Sequence, residues 1–162
     1  MLDAGMDGAI RTMVVRPGIV YGRARGIIGD LVKEASNGLA RVIGTGTQRW
    51  PCVYDRDLAD LYVRLVVGSE ARGIYHANDE PDECVEEIVD AITEHVRTRP
   101  DVCHVPIEEA RGKMGSYADA LALDQKVRSP RARSLDWAPT LHSVAGSVAR
   151  LLEEFRTARA AA

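Results

Sequence analysis

Residues 11–25, RTMVVRPGIVYGRAR, limit the fold more than any other part of the chain. A β-rich run over residues 12–16 is interrupted by Pro17-Gly18 and resumes as Ile19-Val20, followed by Tyr21-Gly22. Proline lacks the N–H that a ladder needs, and glycine admits backbone conformations closed to other residues. The chain is therefore expected to run as a strand to Arg16 and to leave the sheet at Pro17-Gly18. In an open α/β sheet, the loop at the carboxyl end of a strand is where ligands sit.

The rest of the chain alternates strand-like and helix-like segments. Ile27, Ile28, Leu31, Val32 and Ala35 recur at helical spacing over residues 26–37, and Asn37-Gly38 supplies a stop. Residues 41–43 read as a short strand, and Gly44-Thr45-Gly46 as a tight turn rather than a phosphate cradle, because Arg49 stands where a third glycine would be needed. Asp55 is placed to cap a helix running to about Val67, with Leu58, Leu61, Tyr62, Leu65 and Val66 as its core stripe. Strands are expected over residues 73–77 and 101–105, and helices over 84–96, 107–115, 117–124 and 141–159. That alternation predicts an α/β fold.

Composition excludes several classes. Hydrophobic residues make up 46% and charged residues 28% of the 162, so the chain can build a core and is not disordered. No apolar run approaches the ~20 residues of a membrane span, and the first residues show no export pattern, so a cytoplasmic protein with no membrane partner is expected. With a net charge of -3 and dispersed basic residues, no nucleic-acid partner is expected. Arg128, Arg131 and Arg133 form the one local basic cluster, read as a solvated loop in preference to a phosphate-binding one. Cys52, Cys84 and Cys103 are far apart, without zinc-ligand spacing, and are read as reduced thiols. Asp55, Asp57 and Asp60 ring a helix start and do not converge, so no metal site is assigned. His76 has no nucleophile or orienting group near it in sequence and reads as a hydrogen-bonded structural histidine rather than a general acid/base.

Three blocks, in order, carry a resemblance: Arg16-Pro17-Gly18-Ile19-Val20-Tyr21-Gly22; Gly44-Thr45-Gly46 with Trp50-Pro51-Cys52-Val53-Tyr54 and Asp57-Leu58-Ala59-Asp60-Leu61-Tyr62; and Leu135-Asp136-Trp137-Ala138-Pro139. Together they resemble the C-terminal half of the extended short-chain dehydrogenase/reductases, the NAD-dependent epimerase/dehydratase family. The family's Gly-x-x-Gly-x-x-Gly turn and Tyr-x-x-x-Lys pair belong upstream of the first block, and neither occurs in these 162 residues.

The resemblance implies the C-terminal part of a doubly wound, Rossmann-like sheet plus a small α/β substrate-binding region. In that reading residues 1–25 and about 55–98 are the sheet remnant, residues about 26–54 and 99–162 are the substrate-side region, and residues 1–9 are the frayed tail of the helix that bears the Tyr and Lys. It also implies NAD or NADP as cofactor, with Pro17, Gly18 and Ile19 beside the nicotinamide, and Tyr21, Gln48, Arg49 and Trp50 toward the substrate. Trp50 stands where nucleotide-sugar enzymes of the family place a phosphate-binding Arg, which argues against such a substrate. No catalytic residue is assigned within the chain. Two functional expectations follow: the substrate-binding portion of an NAD(P)-dependent epimerase, dehydratase or reductase, inactive and without cofactor affinity when isolated; or a non-enzymatic protein acting through association with itself or with a separate N-terminal half.

Overall fold

The computed structural model describes residues 10–160, so the expectation for residues 1–9 lies outside the described residues. In chain order the elements are β1 (Met13–Pro17), β2 (Ile19–Tyr21), α1 (Gly26–Ser36), β3 (Leu39–Ile43), β4 (Cys52–Tyr54), α2 (Asp55–Val67) and β5 (Gly73–Ala77). They continue with α3 (Val85–His95), β6 (Asp101–Val105), α4 (Ile107–Met114), α5 (Tyr117–Ala122), α6 (Pro130–Arg133), a 3-10 turn (Ala145–Ser147) and α7 (Val148–Ala160). The fold is α/β, as expected.

Every strand pair among the described residues is parallel. β1 lies beside β5 in the register Met13↔Gly73 to Pro17↔Ala77, β2 beside β4, and β3 beside β6. Parallel neighbours need crossovers, and those crossovers bring helices onto the strands. Residues 13–17 thus pair with 73–77, and residues 39–43 with 101–105.

Two clusters make up most of the core. Ile28 and Leu31 of α1, Val42 of β3, Ile88 and Ile92 of α3, and Leu151 and Phe155 of α7 form one. The second gathers Val53, Leu58, Leu61, Leu65, Tyr75 and Trp137. Each fully buried aliphatic side chain of this kind is worth about 2 kcal/mol.

β1 and β2 meet at Gly18. Its N–H donates to Ala77 O at 2.9 Å, and the next N–H, of Ile19, donates to Pro51 O at 2.7 Å. The backbones approach so closely that a Cβ at position 18 would lie 2.1 Å from Pro51 O. Pro17-Gly18 thus passes the chain from one strand pair to the next, a sharper role than the loop expected from sequence.

Some boundaries differ for physical reasons. On α2 the buried side chains are Asp57, Leu58, Leu61 and Leu65, whereas Tyr62 is 47% and Val66 67% exposed, so the apolar stripe is wider than the surface it covers. Asp55 is not the cap: the N-cap of α2 is Tyr54, and no side chain caps that end. The last α-helix starts at Val148 rather than near Leu141, because Glu83 takes the N–H groups of Val144 and Ala145 and holds that segment in another conformation. The arginine cluster is a solvated loop only in part, since Arg128 and Arg131 are exposed while residues 130–133 are helical. Pro130 opens α6, Arg131 lies 4.8 Å over the Tyr75 ring, Arg133 lies 5.0 Å over the Trp137 ring, and Arg128 pairs with Asp82. No described helix is long and apolar enough to cross a membrane.

Replacing Gly18 with Ala should destabilise the chain by about 3 kcal/mol, since backbone rather than a movable side chain fills the space. Urea denaturation of the two proteins measures this, and an unchanged midpoint would contradict it.

Candidate functional site

The carboxyl ends of β1 and β5 open into a cleft of about 680 Å3, within the range of small-molecule sites. Arg16, Pro17, Gly18 and Ile19 line one side, with His76 of β5 beside them. Gly26 and Ile27 at the start of α1 contribute a second side, and α5 with residues 125–128 closes the cleft through Tyr117, Leu121, Lys126 and Arg128. The cleft therefore joins segments about a hundred residues apart in sequence, as expected for a site at the end of a doubly wound sheet.

The structure brings Pro17, Gly18 and Ile19 together on the cleft wall. Pro17 has no N–H, and the N–H groups of Gly18 and Ile19 are spent on Ala77 O and Pro51 O. Toward a ligand this wall offers contact surface rather than backbone donors.

Tyr21, Gln48, Arg49 and Trp50 are not among the cleft-lining residues. Trp50 is 3% exposed and donates its indole N–H to Leu121 O at 2.8 Å, while Gln48 donates Nε2 to Ile43 O at 2.8 Å and also reaches Leu121 O. These bonds tie α5 to the turn after β3. Arg49 points the other way and grips Asp124 through Nε and Nη2, and its own backbone N–H also donates to Asp124. Those bonds hold the Asp124 carboxyl down to about 2. Side chains along 48–50 alternate, with Gln48 and Trp50 buried in packing.

Tyr21 is buried and donates its hydroxyl to Asp79 Oδ2 at 2.6 Å. Burial, with the Asp79 charge added, pushes the Tyr21 hydroxyl far above its usual range. Burial also drives Asp79 up to about 7, against the Tyr21 hydroxyl and the Tyr54 backbone N–H, which favour its anion. Asp79 Oδ1 has no hydrogen-bond partner among the described residues. Cys52 lies in the same buried region, and burial raises its thiol.

Two other buried acids are fully engaged. Asp57 accepts from the Thr140 hydroxyl, the Thr140 N–H and the Leu141 N–H. Glu83 accepts from the Ser143 hydroxyl and from the N–H groups of Val144 and Ala145.

Sequence reasoning missed the cleft roles of Arg16, Lys126 and Arg128, and it read His76 as hydrogen-bonded. Among the described residues neither the Arg16 nor the His76 side chain has a hydrogen-bond or ion-pair partner, and both residues line the cleft. Their signal was present in sequence only as two polar residues at the carboxyl ends of two apolar strands.

No protein-family model matches the chain. An uncharacterised protein of Schizosaccharomyces pombe is 31% identical over 135 residues, covering 81% of this chain and 45% of that protein. Human epimerase family protein SDR39U1 (isoform 2), solved with NADPH, superposes with a TM-score of 0.75 at 22% identity over 88% of this chain and 48% of its own. UDP-glucose 4-epimerase of Thermotoga maritima, solved with UDP-glucose, gives a TM-score of 0.77 at 16% identity over 94% of this chain and 48% of its own. The chain thus shares the Rossmann-like epimerase fold and spans about half the length of the proteins it matches.

Because folding raises the proton affinity of Asp79, stability from this group is fully present below the unfolded carboxyl pKa near 4 and is lost as pH rises to about 7. The loss should be on the order of 4 kcal/mol. Asp79→Asn should flatten that part of the stability curve, which urea titrations at pH 4 to 8 can read. Parallel curves for the two proteins would contradict the assignment.

Proposed function

We propose that this chain provides the C-terminal, substrate-side portion of an NAD(P)-dependent epimerase, dehydratase or reductase of the extended short-chain dehydrogenase/reductase family. The observation that carries the reading is the cleft at the carboxyl ends of β1 and β5, with Pro17, Gly18 and Ile19 on its wall. NAD or NADP would lie with its nicotinamide against that wall, bringing hydride transfer to a small carbonyl or sugar-like substrate. This chain's own part is to shape the wall, whose amide donors are already spent, and to keep α5 closed over it through Trp50 and Gln48. Proton transfer in this reading belongs to a Tyr-x-x-x-Lys pair that the 162 residues do not contain.

Turnover and dinucleotide affinity should therefore be absent from these residues alone and should appear when a complementary unit bearing the glycine turn and the Tyr-Lys pair is supplied. Titration with NADPH, followed by nicotinamide fluorescence with and without that unit, tests the reading. Micromolar binding by the 162 residues alone would overturn the division of labour, and no binding by the pair would overturn the family reading.

One observation favours association as a companion role. The outer face of α2 exposes Tyr62, Val63, Val66 and Val67, with Val67 77% exposed, and β1 pairs only with β5 among the described strands. An open parallel edge beside an uncovered apolar helix face suits a second α/β unit, either another copy or an upstream half. Self-association should be seen by sedimentation equilibrium and should weaken about tenfold in Val63→Lys/Val66→Lys. A concentration-independent monomer mass would contradict it.

A further inference from the structure

The cleft is positively charged in a protein that is negatively charged as a whole. The chain carries 24 acidic and 21 Lys and Arg residues, yet Arg16, His76, Lys126 and Arg128 line the cleft and, among the described residues, no carboxylate does. Lys126 and Arg128 share Asp82 behind the wall, Arg128 through bonds of 2.7 and 2.8 Å and Lys126 at 3.8 Å, so that acid offsets one of their charges. Arg16 has no such offset. It is exposed, without an ion-pair partner among the described residues, and its register partner on the neighbouring parallel strand is His76. Register partners in a parallel pair stand side by side on one face of the sheet, about 5 Å apart. An arginine fork and an imidazole N–H are thus placed together, facing the same space.

Apolar side chains also line the cleft. Val20 of β2, Ile27 of α1 and Tyr117 of α5 are among them, which suits a carbon skeleton or ring. We infer that the Arg16–His76 end is an anion subsite, and that the ligand of this cleft is a small molecule bearing a phosphate or carboxylate group on an otherwise apolar body. Assigning that anion to the substrate rests on the reading of the cleft given above. The anion subsite itself does not, because it depends only on the strand register and the charge of the lining. Arg16 would hold the anion through paired N–H donors, and His76 would add a third. Lys126 and Arg128 would supply longer-range attraction across the cleft.

The test is calorimetric titration of the protein with inorganic phosphate and, separately, with succinate, at ionic strength fixed with potassium chloride. The expected result is saturable binding of at least one of the anions, weakened at least tenfold in Arg16→Gln and restored in part by Arg16→Lys. Arg56→Gln, an exposed substitution on α2 outside the cleft, should leave binding unchanged. The imidazole resonances of His76 should shift along the same titration curve, and His76→Gln, which keeps an N–H donor, should bind more weakly than wild type but more tightly than Arg16→Gln. The preferred anion identifies the class of ligand. No saturable binding of either anion, or equal binding in wild type and Arg16→Gln, would overturn the subsite. Neither probe contains nicotinamide, so a failure here is separable from a failure of the dinucleotide titration.

Discussion

The architecture turns on the contact between Gly18 and Pro51. Two successive amide groups point to two different strand pairs: Gly18 N–H to Ala77 O at the end of β5, and Ile19 N–H to Pro51 O at the entry to β4. Only a residue without Cβ lets both bonds form, because the Pro51 carbonyl occupies the place a side chain would take. From this point β1 carries α2, β5 and Trp137 into one core, while β2 leads into α1, α3 and α7 in the other. The cleft lies where the two diverge, so the same residue sets the fold and the floor of the site.

Three buried carboxylates then hold the distant C-terminal segment and the strand ends in place, with different electrostatic outcomes. Asp57 and Glu83 each receive three hydrogen bonds from residues 140–145, which compensates the loss of water around a buried anion. Asp79 receives far less, with one oxygen unpartnered among the described residues, and its proton affinity rises accordingly. A buried acid costs little where donors converge on it and much where they do not.

Local signals made much of the fold legible. Apolar spacing located α1, α3, α4 and α5 to within a residue or two, and the β-rich runs located β1, β5 and β6. What sequence could not show was set by contacts across long separations. The start of α7 depends on Glu83, some sixty residues earlier, and the outcome for Arg131 and Arg133 depends on rings presented by Tyr75 and Trp137. The α2 stripe illustrates the converse. Tyr62 and Val66 have the spacing of core residues, but periodicity reports which face is apolar and not whether another surface covers it.

The candidate site was legible only in part, and Trp50 explains why. Its alignment with a ligand-binding position of the resembled family suggests a side chain facing substrate. In this chain the indole is buried and spends its N–H on Leu121 O, as Gln48 does with part of its amide, so both anchor the helix that forms the far wall of the cleft. Trp50 is a structural tie, and the positive charge that lines the cleft comes from elsewhere: from Arg16, beside His76 on the paired strand, and from Lys126 and Arg128 on a segment held by Asp82. These residues lie apart in sequence and match no spacing rule. Only the parallel register of β1 with β5, and the closure of α5 against Trp50, makes them neighbours.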